Sequence, residues 1–185
     1  GPFCTMILAD MGADVIKLER PGAGDSSRGM GDGSERNPYF RYINRNKKSL
    51  TLDYKGARGR EIFLKLIPAV DVLVENYRPT VMDRAGLGWE TLKQVNPRLI
   101  YAQLSGFGSD GPYREKGGFD LIAQGMSGIM SVTGAPDGPP MKAGPTLVDY
   151  MGGIHLYGAI LTARPQMRDG RVARVDDHEV RVDLF

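Results

Sequence analysis

The feature that most constrains this chain is an alternation of short apolar runs with amphipathic stretches, joined by short loops. The runs Ala13-Asp14-Val15-Ile16-Lys17-Leu18-Glu19, Ser49-Leu50-Thr51-Leu52-Asp53, Asp71-Val72-Leu73-Val74-Glu75 and Leu99-Ile100-Tyr101-Ala102-Gln103-Leu104 read as strands. Residues 3–11, 56–67, 80–85 and 89–95 read as helices; in the second of these Ile62, Phe63, Leu66 and Ile67 share a face before Pro68 stops it. Strand, helix and strand in succession predict an α/β domain with a largely parallel sheet. Ligands of such sheets bind beyond the carboxyl ends of the strands, which draws attention to Glu19-Arg20, Asn76 and Ser105-Gly106.

Past the last of these strands the pattern changes. Residues 119–130 read as a helix broken by small residues, and residues 133–144 as a loop of Gly and Pro. Residues 146–163 then form an apolar segment containing Gly152, Gly153 and Gly158. Each costs about 1 kcal/mol against Ala inside a helix, so a helix keeps them where a backbone or a ligand comes close. Asp149 lies just inside the start of this segment. Thr146-x-x-Asp149 fits a capping box with Asp in place of Glu. A loop-to-helix junction is also where a rigid element aims a side chain into a cleft, so both readings of Asp149 stand.

Composition narrows the function classes. The 185 residues suit one domain with a real core, and 41% hydrophobic with 25% charged residues is ordinary for a globular protein. A formal charge of +2 makes no case for nucleic acid or an anionic membrane. Cys4 stands alone, which excludes an internal disulfide and fits a reducing, cytoplasmic setting. No apolar run approaches the ~20 residues of a membrane span. Cys4, His155 and His178 have no metal-ligand spacing, so no metal site is expected; His155 reads as a packing residue. No Gly-x-Ser-x-Gly elbow is present. Gly106-Phe107-Gly108-Ser109-Asp110-Gly111 matches the dinucleotide fingerprint literally, but Pro112 follows and no amphipathic helix opens there, so a tight turn is expected. Arg20, Lys47, Lys48, Lys55, Arg78, Arg84 and Lys116 flank strand ends for the most part. Most are surface charges, and some can converge on ligand phosphates.

With these pieces in order, the chain resembles the family III CoA-transferases, the group that includes the α-methylacyl-CoA racemases. The resemblance rests on residues 1–21, from Gly-Pro-Phe-Cys to Leu-Glu-Arg-Pro, on Asn-Arg-Asn-Lys-Lys-Ser-Leu-Thr-Leu-Asp (44–53) and on Asp-Val-Leu-Val-Glu-Asn-Tyr-Arg-Pro (71–79). Asn-Pro-Arg-Leu-Ile-Tyr (96–101), Leu-Ser-Gly-Phe-Gly (104–108) and Leu-Val-Asp-Tyr-Met-Gly-Gly (147–153) follow in family order. It implies a Rossmann-like, largely parallel sheet flanked by helices, in chains that pair as interlocked dimers. It also implies Asp149 as nucleophile and Arg20, Lys55, Asn76, Arg84 and Lys116 as contacts to coenzyme A, which is a substrate rather than a resident cofactor. The implied reaction moves coenzyme A from an acyl-CoA to a small carboxylic acid through an aspartyl-CoA thioester. A first-turn position would favour the ionised Asp149, and neighbouring glycine amides could meet an oxyanion.

Two departures qualify the resemblance. In the racemase branch a His precedes the acid of the loop-to-helix segment, whereas Phe119 precedes Asp120 here, so a two-base α-proton exchange lacks one base. The expectation is therefore transfer, with racemase or epimerase action and a non-catalytic CoA-binding or assembly chain as alternatives. The second departure concerns the ends. The chain begins without Met, and residues 164–185 change sharply in composition. The expectation is a partial large domain over residues 1–163 with a divergent tail over 164–185, lacking the family's first strand and second domain.

Overall fold

A computed structural model describes residues 1–30, 37–168, 172–175 and 182–183. Its elements in order are α1 (Pro2–Asp10), β1 (Val15–Glu19), α2 (Pro38–Ile43), β2 (Lys47–Thr51), α3 (Ala57–Leu66), β3 (Val72–Glu75), α4 (Val81–Arg84) and α5 (Trp89–Val95). β4 (Ile100–Gln103), α6 (Asp120–Met126), α7 (Leu147–Arg168), β5 (Val172–Val175) and β6 (Val182–Asp183) follow. The expected α/β alternation is present. Its strands form two sheets: β1 pairs parallel with β2, and β3, β4 and β5 pair parallel with β6 added antiparallel at the edge.

The second sheet is covered on both faces, and β4 shows why. Successive strand side chains point to opposite faces. Ile100 and Ala102 join Cys4, Leu156, Ile160 and Ala163 in a core made with α1 and α7. Leu99 and Tyr101 face Phe63, Met82, Leu87, Trp89 and Leu92 in a second core beneath α3, α4 and α5. All four residues of β4 are buried, as a central strand between helix layers requires.

Three local expectations are corrected. No element is assigned from sequence to the polar residues 26–48, yet a 3-10 turn (Ser26–Gly29) and α2 form there. Asn37 caps α2, its Oδ1 accepting the Tyr39 and Phe40 N–H groups, and Pro38 supplies the preset first residue. β2 starts at Lys47 rather than Ser49 because β1 runs on opposite it, with Val15 beside Lys47 and Ile16 beside Lys48. The helix expected over 146–163 continues to Arg168.

The end of β1 is locked by charge. Glu19 is buried and accepts both arms of the Arg28 guanidinium (2.7 Å each), the Ser49 hydroxyl (2.7 Å) and the Asp25 N–H (2.9 Å). The Arg28 bonds lead, outweighing desolvation, and hold its pKa down at about 2. Arg28 in turn stacks 3.9 Å above the Phe40 ring, tying α2 to β1.

Candidate active site at the first turn of α7

Two glycines let α7 settle against its neighbours. A Cβ on Gly153 would stand 3.1 Å from Phe3 Cβ and 3.3 Å from the Cys4 nitrogen, so α1 and α7 touch backbone to backbone there. Phe3 and Tyr150 cross edge to face with centroids 4.6 Å apart just outside that contact. The packing brings the N-terminal ends of α1 and α7 together beside the end of β4, whose neighbour Leu104 lies 3.2 Å from a Cβ placed on Gly152.

The first turn of α7 is not capped as Thr146-x-x-Asp149 predicts. Asp120, the first residue of α6, reaches across to cap it. Its Oδ1 accepts the Val148 N–H (2.8 Å) and the Asp149 N–H (3.2 Å). Asp149 is thereby released from capping duty. No described residue hydrogen-bonds its carboxylate, which lies at an exposed position.

Electrostatics also differ from expectation. Protein packed around the inner side of the Asp149 carboxyl partly desolvates it, and the negative Asp120 adds to this, so its pKa lies above the ordinary carboxylate value. The amino group of Gly1 acts in the opposite sense. The helix end was expected to favour the ionised form. Desolvation leads, and Asp120, which accepts from two of the first-turn N–H groups, sets a negative charge against the positive end of the helix. Tyr39 on α2 belongs to the same neighbourhood, its phenol raised by burial first and then by the charges of Tyr150 and Asp149. The signal for Tyr39 was available in Asn37-Pro38, a cap followed by a helix-starting proline.

Beside this turn lies a small open cleft of about 100 Å³ between the loops after β3 and β4, lined by Asn76, Arg78, Ser105, Gly106, Lys116 and Phe119 among others, none of them acidic. It brings together two of the expected contacts, Asn76 and Lys116. The others lie outside it. Arg20 bonds the Gly24 carbonyl (3.0 Å), Arg84 lies over the Thr80 carbonyl (3.4 Å), and Lys55 is exposed in the loop after β2. That loop still approaches the end of β3, where the Tyr54 and Tyr77 ring centroids are 6.3 Å apart. Arg78 lines the cleft without having been singled out as a contact; its place two residues after Asn76 in the loop leaving a strand end was the available signal.

The glycine-rich match at 106–111 is a neck and a turn. Gly106 and Gly118 lie so close that a side chain on either would meet the other's backbone, closing residues 107–117 into a loop that carries Lys116 over the Tyr113 ring at 4.1 Å. Turns, not a helix, follow Gly111. His155 is exposed rather than packed, its Nδ1 donating to the Met151 carbonyl at 2.8 Å. His178 lies outside the described residues. Among the described residues no group of three or more His, Cys, Asp or Glu could hold a metal ion, and no helix is long and apolar enough to cross a membrane.

Comparison with known proteins agrees with this geometry. The family model described as CoA-transferase family III matches residues 1–180. An acyl-CoA transferase of Fusarium pseudograminearum is 49% identical over 187 aligned residues, covering 95% of this chain and 41% of that protein. An acetyl-CoA:oxalate CoA-transferase of Acetobacter aceti is 47% identical, covering 95% of this chain and 46% of that protein. The crystal structure of a CAIB/BAIF family protein from Brucella suis superposes with a TM-score of 0.89 at 40% identity, over 94% of this chain and 48% of that one. The chain thus spans about half the length of the relatives it matches.

Proposed function

Because this chain belongs to CoA-transferase family III, we propose that it carries the nucleophile of an enzyme moving coenzyme A from an acyl-CoA to a free carboxylic acid, with Asp149 as that nucleophile. The observation that carries the reading is the uncommitted carboxylate of Asp149, held at the first turn of α7 while Asp120 does the capping. An Asp149 oxygen attacks the thioester carbonyl, the C–S bond breaks, and coenzyme A leaves as thiolate from a mixed anhydride. The thiolate attacks the aspartyl carbonyl of that anhydride, releasing the acyl group as a carboxylate and leaving aspartyl-CoA. The acceptor carboxylate then repeats the exchange in reverse, and Asp149 is regenerated. No oxidant or metal enters the balance.

The cleft supports binding of the anionic coenzyme. Lys116 and Asn76 line it, Arg78 adds a second cation, and no acid opposes them. Arg20, Lys55 and Arg84 are proposed as outer contacts to the same ligand, and a second chain is proposed as partner. Phe119, 80% exposed and without a titratable group, supports transfer over α-proton exchange.

The test is mass spectrometry of the chain quenched after incubation with an acyl-CoA. The peptide containing Asp149 should gain an acyl or coenzyme A adduct, and Asp149→Asn should lose it. An adduct that persists in Asp149→Asn, or its absence at saturating acyl-CoA, overturns the assignment.

A further inference from the structure

Gln124 lies on α6 with none of its surface exposed, a place an amide occupies only when its hydrogen bonds are made. Its Oε1 accepts the Ala143 N–H (2.8 Å), and its Nε2 donates to Asp120 Oδ2 (2.6 Å) and, at longer range, to the Pro145 carbonyl (3.4 Å). Its partners determine which way the amide faces. Only its oxygen suits an N–H, and only its nitrogen suits a carboxylate. Asp120 completes the junction, its other oxygen taking the Val148 and Asp149 N–H groups. At these two side chains α6 meets the end of the Gly/Pro loop and the first turn of α7 that follows it.

We infer that Asp120 and Gln124 are positioning residues for Asp149, a clamp that fixes where its carboxylate stands and keeps a negative charge beside it. The catalytic meaning of the clamp rests on Asp149 being the nucleophile; its geometry does not. The groups that act on Asp149 are Asp120 from α6 and the Gly1 amino group before α1, and Tyr39 from α2 feels the Asp149 charge in turn. Burial and Asp120 raise the Asp149 pKa, and Gly1 lowers it. Of these groups Asp120 alone is hydrogen-bonded to the Asp149 backbone among the described residues. A reacting carboxylate misplaced by 1 Å can cost about 100-fold in rate, which is the need such a clamp meets.

The experiment is a carboxyl 13C NMR titration of Asp149 in this chain, with amide exchange followed at Val148 and Asp149, unaltered and as Asp120→Asn and Gln124→Met. Asp120→Asn keeps an oxygen for the two N–H groups and removes the charge, while setting an amide donor opposite Gln124 Nε2, so Asp149 should titrate at lower pH, with unchanged amide exchange in β4 showing that the fold is intact. Gln124→Met keeps length and removes both hydrogen-bonding ends. Exchange at Val148 and Asp149 should then quicken by about tenfold, the loss of one ordinary hydrogen bond, with β4 unchanged. An unmoved Asp149 titration in Asp120→Asn, or unchanged exchange in Gln124→Met, overturns the clamp. Should Gln124→Met fail to fold, the Asp120→Asn titration decides. A clamp present without any adduct on Asp149 removes the nucleophile reading alone, and an adduct without the titration shift removes the clamp alone.

Discussion

At the scale of the residue, Asp149 is a carboxylate that the fold holds at a cost. Its pKa is raised in the folded chain, so the folded state keeps the proton more tightly than the unfolded one. The stability this site contributes is therefore complete below the ordinary carboxylate value and is lost as pH rises through the folded value. Asp149→Asn removes the charge that suffers burial and the repulsion from Asp120. Thermal melts should show it more stable than the unaltered chain at pH 7, with the gap closing by about pH 3, below the usual range for Asp. A variant that melts lower at pH 7 than at pH 3, relative to the unaltered chain, would contradict this. Gaining stability when this charge is removed is what the role proposed for Asp149 predicts. Glu19 shows the contrary case. Held at about 2 by Arg28 first, it contributes stability above its ordinary value near 4.5, lost as pH falls toward 2.

At the scale of the element, α7 carries glycines for different reasons. Gly153 faces α1 at backbone contact, whereas a Cβ on Gly158 would meet nothing within 4 Å. Gly158→Ala should stabilise the chain by about 1 kcal/mol, the ordinary gain in helix propensity. Gly153→Ala gains the same helix propensity of about 1 kcal/mol but loses about 1–3 kcal/mol by overpacking against Phe3 and the Cys4 backbone, so it should be the less stable of the two variants. Paired urea melts measure both, and the opposite order would refute the packing argument. From sequence alone the three glycines of α7 look alike. Their neighbours separate them, and those neighbours come from α1 and from the residue after β4.

At the scale of the whole molecule, the outer face of α7 is apolar, and no described residue covers it. Met151, Ile154 and Leu161 recur at helical spacing with Gly158 between them, and all three large side chains are exposed. α6 packs against α7 and adds exposed Leu121, Ile122 and Met126. Clustered exposed apolar side chains are what an interaction face presents, and a second copy of the chain is the proposed partner. Sedimentation velocity should show mass rising with concentration, and Ile154→Glu with Leu161→Glu should hold the chain monomeric without lowering its melting temperature. A monomer at every concentration would remove the proposal.

Much of the architecture could be read in one dimension. Strand and helix periods, the turns at Gly and Pro, and an acid at the start of a helix are local properties, because backbone geometry repeats over a few residues. The family motifs rest on the same residues, and the family match covers residues 1–180. Other decisions belonged to the tertiary structure. The cap of α7 comes from Asp120 and not from Thr146, the amide of Gln124 is buried, and β1 pairs with β2 in a sheet separate from that of β3 and β4. The direction in which Asp149 titrates was misjudged from sequence for the same reason. Hydrogen-bond partners far along the chain, and the loss of water around a charge, depend on where the chain returns to itself. The sequence by itself determined that an acid would stand at this junction, and only the fold decided which neighbours would hold it there and how readily it would ionise.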